Sequence, residues 1–108
     1  MTDGTHPLDR LWQTIEARRT ADPEQSWTAR MLSRGPEKCA EKFGEEAIEA
    51  VIEAVRGDRA ALVREGADVL YHLCLMFAAR DVTLGQVLSE LERREARSGL
   101  AEKAARDS

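Results

Sequence analysis

Sulfur and imidazole ligands are scarce in this sequence. Its 108 residues hold two cysteines and two histidines. Cys39 and Cys74 form no C-x-x-C pair, and no Cys/His set of the kind that holds zinc can be assembled. They read as free thiols inside helices, which fits a reducing compartment and a cytoplasmic location. No apolar run is long enough to cross a membrane, and no signal-peptide pattern opens the chain. Lysine and arginine number 16 against 20 aspartates and glutamates, a net charge of −4. The chain as a whole therefore offers no basis for binding nucleic acid. Aromatic residues are only 5%, and neither a strand candidate nor an internal repeat is found.

What remains is a helical composition, rich in alanine, glutamate, arginine and leucine. Hydrophobic residues are 43% and charged residues 33%, which suits one soluble globular domain rather than a disordered chain. The expected fold class is all-α with about five helices. Residues 1–7 read as a loose arm, 8–97 as the domain, and 98–108 as a fraying tail whose single large apolar residue is Leu100.

The organising stretch is 42–68. It carries Glu45, Glu46 and Glu49, then Glu65 and Asp68. Residues three or four apart share a helix face, so Glu46/Glu49 and Glu65/Asp68 are matched pairs. Residues 56–59, Arg-Gly-Asp-Arg, read as a tight turn. Glu49 and Glu65 each lie eight positions from Gly57. An antiparallel hairpin then sets the two pairs facing one another.

The other elements follow from spacing and caps. Leu8, Leu11, Trp12 and Ile15 give a first helix that ends near Thr20, before Asp22-Pro23. Ser26 caps a short second helix, ended by Gly35-Pro36. The third spans 37–55, roughly 28 Å. Lys38, Lys42, Glu45 and Glu49 share one side of it, with Glu46 and Glu53 beside them. Phe43, Ala47, Ala50, Val51 and Ala54 lie opposite, widened by Ile48, Ile52 and Val55. Asp58 caps a fourth helix running to about Ala79, and Thr83 caps a fifth. The apolar surfaces of the third and fourth helices are broader than a lone hairpin can cover. A symmetric homodimer with a four-helix core would cover them.

Glutamates on a helix are ordinarily a solvated face. Asp68 is harder to dismiss, because aspartate is a poor helix-interior residue and it sits in the most apolar helix of the chain. Gly44 and Gly66 each lie beside an acidic pair in mid-helix, at about 1 kcal/mol each against alanine, which suggests close backbone approach. Two carboxylates about 5 Å apart repel by roughly 3 kcal/mol at an effective dielectric near 20. Four facing inward would take up protons or gather cations. All-oxygen ligation suits Mg²⁺ or Mn²⁺, and Mg²⁺ commonly shares its sphere with substrate phosphates. A di-iron bundle would need Glu-x-x-His, which is absent. His72, four residues after Asp68, reads as a packed or interfacial histidine, with a catalytic histidine as the alternative. Arg30, Arg34, Lys38 and Lys42 are individually solvated surface; together they could hold an anionic ligand.

Glu45-Glu46-x-x-Glu49 with Glu65-x-x-Asp68 resembles the signature of the all-α nucleoside triphosphate pyrophosphatases. Five segments narrow the resemblance: Ser26-Trp27-Thr28-Ala29-Arg30, Glu41 to Ala47, Gly57-Asp58, Ala67 to Leu73, and Val87 to Arg94. They look like the phosphoribosyl-ATP pyrophosphatase branch, of histidine biosynthesis, over about residues 8–95. Trp27 stands where tyrosine is more usual, Arg30 where lysine is common, and Gly66 where alanine is usual. The resemblance implies cleavage of 1-(5-phosphoribosyl)-ATP to phosphoribosyl-AMP and pyrophosphate. It implies that Glu46, Glu49, Glu65 and Asp68 hold Mg²⁺ and that Glu45 orients or deprotonates the attacking water. Arg30, Lys38 and Lys42 would grip phosphates, and a dimer is implied too. Two other readings stand beside it: a house-cleaning nucleotide pyrophosphatase of the same superfamily, and a non-catalytic helical dimerisation module.

Overall fold

A computed structural model describes residues 6–96, together with 103 and 106. Its elements are α1 (Pro7–Ala17), α2 (Trp27–Arg34), α3 (Pro36–Arg56), α4 (Arg59–Ala79) and α5 (Leu84–Glu95). There is no strand among the described residues. Most of residues 1–7 and 98–108, read above as arm and tail, lies outside the described residues.

Local chemistry sets each boundary. His6 Nδ1 accepts the Leu8 N–H at 3.0 Å, and Pro7, pre-set for the first helical position, starts α1 one residue earlier than expected. The helix stops at Ala17 rather than near Thr20, and residues 18–20 form a turn. Arg19 Nη2 donates to the Ala78 carbonyl at 2.9 Å, tying that turn to the end of α4. Ser26 caps α2 by accepting the Ala29 N–H at 3.1 Å. Gly35, at φ 97°, separates α2 from α3 by a single residue, a conformation that favours glycine.

The hairpin forms as expected. Gly57 closes α3 in the left-handed region, at φ 81°, and Asp58 caps α4 by accepting the Ala61 N–H at 3.0 Å. Two 21-residue helices, each about 31 Å long, are joined by these two residues alone. α2 packs on both of them and α1 packs on α4. Asp81 adopts φ 59° after α4, a conformation that a short polar side chain tolerates. Thr83 and Gln86 then make a capping box that starts α5.

The core sits at the end of the hairpin far from its turn. Ile15, Met31, Cys39, Cys74, Leu75, Ala78 and Leu84 form it, with Leu8, Leu11, Trp12, Leu32, Tyr71 and Leu88 packed around. It therefore draws on the start of α3 and the later part of α4. Near the turn the pattern inverts. Glu46, Glu53 and Glu65 are half-buried, whereas Ile48, Val51, Val55 and Val63 are 60% or more exposed. Half-buried carboxylates beside a contiguous uncovered aliphatic face are the two departures from ordinary burial that carry information. The reading of Gly44 and Gly66 as points of close approach does not hold within the chain. A Cβ at either would meet nothing within 4 Å.

Candidate metal centre

Three of the four expected ligands are brought together. Glu46 and Glu49 from α3 and Glu65 from α4 each offer one carboxylate oxygen, all within 4.8 Å of one another. Glu46 and Glu49 are one turn apart on α3, and the short turn at Gly57-Asp58 returns Glu65 to the same level. Asp68 is exposed and lies outside this group, although its charge still acts on Glu65. Its stem is one methylene shorter than a glutamate's and reaches less far across the hairpin.

Glu65 carries the electrostatic strain of the cluster. Burial pushes its carboxyl above the usual range; the charge of Glu49 and a hydrogen bond shared with that carboxylate push it further, as do the charges of Asp68 and Glu46. Its Oε1 is buried without a hydrogen-bond partner. A buried acceptor left unpaired is costly, and a bound cation is one way to relieve it. Oxygens around a single Mg²⁺ lie up to roughly 4.2 Å apart. A 4.8 Å group needs only small side-chain shifts to close on such an ion. The acidic cluster could thus bind a metal.

The cations divide. Lys42 Nζ lies 3.5 Å from Glu45 and 3.7 Å from Glu46, so it stands at the rim of the cluster. Glu45 is held by that contact and remains about half exposed. Lys38 pairs with Glu41 at 3.1 Å, one turn further back. Arg30 is exposed, and its Nε donates to the Pro23 carbonyl at 3.0 Å. No hydrogen bond or ion pair joins Arg30 or Lys38 to the carboxylate cluster.

His72 is buried, as a packed histidine should be. Its Nδ1 lies 2.9 Å from the Asp68 carbonyl. Tyr71 meets its ring edge-on at 5.0 Å, and the Tyr71 hydroxyl bonds the Thr28 hydroxyl of α2. Spacing could not have found that Thr28–Tyr71 tie, because it joins residues 43 apart. Glu53 extends the half-buried acidic stripe by one turn. Its Oε1 is unpartnered, and Arg56 reaches its other oxygen at 4.0 Å. Its position four residues after Glu49 was the available signal. A cavity of about 290 Å³ lies at the other end of the hairpin, where Glu16, Arg19, Asp81, Val82 and Thr83 line it. Glu16 and Arg19 pair with each other there at 2.6 Å, and Arg19 Nη2 lies 3.7 Å from Asp81.

The geometry can be set beside known proteins. The family described as phosphoribosyl-ATP pyrophosphohydrolase matches residues 8–95. A phosphoribosyl-ATP pyrophosphatase of Cereibacter sphaeroides is 72% identical over 99 residues, covering 92% of this chain and 96% of its own. One of Paracoccus denitrificans is 68% identical over 105 residues, covering 95% and 97%. One of Ruegeria pomeroyi is 70% identical over 99 residues, covering 92% and 94%. The match spans all five helices and both halves of the acidic hairpin, and the chain belongs to the phosphoribosyl-ATP pyrophosphohydrolase family.

Proposed function

We propose that this chain hydrolyses 1-(5-phosphoribosyl)-ATP between its α and β phosphates, giving 1-(5-phosphoribosyl)-AMP and pyrophosphate, the second step of histidine biosynthesis. Family membership supports the reaction. The observation that carries the mechanism is the group of Glu46, Glu49 and Glu65 oxygens within 4.8 Å, with a buried Glu65 oxygen lacking any partner.

In this reading Glu46, Glu49, Glu65 and Asp68 hold Mg²⁺, or Mn²⁺ in its place. When bound, the ion neutralises charge on phosphoryl oxygens and activates water. Phosphoryl transfer demands positioning and charge neutralisation more than covalent chemistry. Lys42 grips a phosphate from the cluster rim, and its two carboxylate contacts keep the ammonium in place. Glu45, half exposed beside it, orients or deprotonates the attacking water. Lys38 and Arg30 swing from their present partners to the outer phosphates. The uncovered aliphatic face near the turn is buried in a homodimer with a four-helix core. The two buried, unpaired thiols suit the reducing cytoplasm.

Turnover separates this reading from its rival. The enzyme should release pyrophosphate from phosphoribosyl-ATP far faster than from any member of a nucleoside triphosphate panel. Preference for a free triphosphate would overturn the substrate assignment.

A further inference from the structure

We propose that His72 is a positioning residue for Asp68: its imidazole braces the turn of α4 that carries Glu65 and Asp68, a turn left loose by Gly66. The inference rests on the divalent-cation reading of the hairpin. Gly66 stands between the two acids in mid-helix, where glycine has the most backbone freedom to lose. A Cβ there would touch nothing within 4 Å, so packing neither requires the glycine nor braces it. One turn on, His72 Nδ1 lies 2.9 Å from the Asp68 carbonyl oxygen. A carbonyl only accepts, so Nδ1 carries the hydrogen. The same carbonyl receives the His72 backbone N–H in the helical ladder, and two donors from one residue converge on it. A side chain bonded to the carbonyl four residues back alters local helix geometry. The aim of the Asp68 side chain moves with that peptide.

The alternative is that the ring merely fills space, and its cost speaks against that. With the hydrogen on Nδ1, Nε2 is an acceptor, and it is buried with no partner. An apolar side chain of similar volume would avoid that penalty. Nε2 is also closed off from solvent, which leaves Nδ1 as the atom that acts. Tyr71 fixes the ring from one side, and Thr28 fixes Tyr71. The brace therefore runs from α2 through Tyr71 and His72 to the turn bearing the ligands.

Mn²⁺ binding to the full chain, followed by electron paramagnetic resonance, tests it. His72→Asn keeps a donor near the Nδ1 position, His72→Gln moves the amide toward Nε2, and His72→Phe keeps the ring without a donor. His72→Asn should bind Mn²⁺ within about twofold of the parent, and the other two about tenfold more weakly, with helicity unchanged. Gly66→Ala added to His72→Phe should recover most of the loss, because alanine stiffens the turn. If Asp68→Asn leaves Mn²⁺ binding intact, the cation reading fails and the brace falls with it. If Asp68→Asn weakens binding but His72→Phe does not, the brace alone is wrong. Retention by His72→Gln rather than His72→Asn overturns it too. Should His72→Phe not fold, the Asn–Gln comparison still decides.

Discussion

A carboxylate oxygen of Glu49 and one of Glu65 come within 4.8 Å across the α3–α4 hairpin. Burial and the neighbouring charges raise the Glu65 carboxyl above its ordinary 4.5, which fixes the sign of a pH effect. A raised folded-state value favours the protonated form in the fold. The stability this supplies is fully present below the unfolded value and is lost as pH rises through the folded one. In chelator, the melting temperature of the parent should therefore fall relative to Glu65→Gln as pH rises above about 4.5. Saturating Mg²⁺ should remove the difference for the parent, because the ion favours the ionised group. Parallel pH profiles for parent and variant in chelator would contradict this.

Glu46→Gln and Asp68→Asn change a charge and almost no volume. Each should lower the rate of pyrophosphate release by about a hundredfold or more and leave the far-ultraviolet circular dichroism unaltered. Full activity in both would reduce the acidic strip to a solvated surface and favour the non-catalytic helical module.

Much of this was legible in the residues. Ser26, Asp58 and Thr83 cap the helices they were expected to cap, because a cap is a contact within three residues and needs no tertiary knowledge. The Glu46, Glu49 and Glu65 convergence was legible for a related reason: helical spacing plus a two-residue turn leaves little freedom. Periodicity names the residues that share a face, but not which face a neighbour takes. α3 has two candidate faces, and in the turn-proximal half it turns its acids toward α4 and leaves Ile48, Val51 and Val55 uncovered. Long-range ties such as Arg19 to the Ala78 carbonyl leave no local trace. Gly44 and Gly66 misled because a helical glycine signals either close approach or tolerance, and here the chain leaves open space at both.

The turn that sets the register rests on one cap. Asp58→Ala removes the acceptor for the Ala61 N–H and should destabilise the chain by about 1 kcal/mol. Urea unfolding should show a lower midpoint with an unchanged slope. A slope change would mean that the hairpin no longer unfolds with the rest of the domain.

The uncovered aliphatic face bears on assembly. Val51, 60% exposed, and Ile48, 62% exposed, should lie in the homodimer interface. Val51→Glu or Ile48→Glu should shift sedimentation velocity from dimer to monomer, since each buries an unpaired charge in the interface. A parent that sediments as a monomer at micromolar concentration would rule the dimer out.

The most direct test is an anomalous difference map from a crystal soaked in Mn²⁺. One peak is expected between α3 and α4, with oxygens of Glu46, Glu49, Glu65 and Asp68 at roughly 2.1 Å. Asp68 should have turned inward to join the other three. A map with no peak between those helices, or with the ion bound elsewhere and the four side chains left in solvent, would contradict the reading of this hairpin as a metal centre.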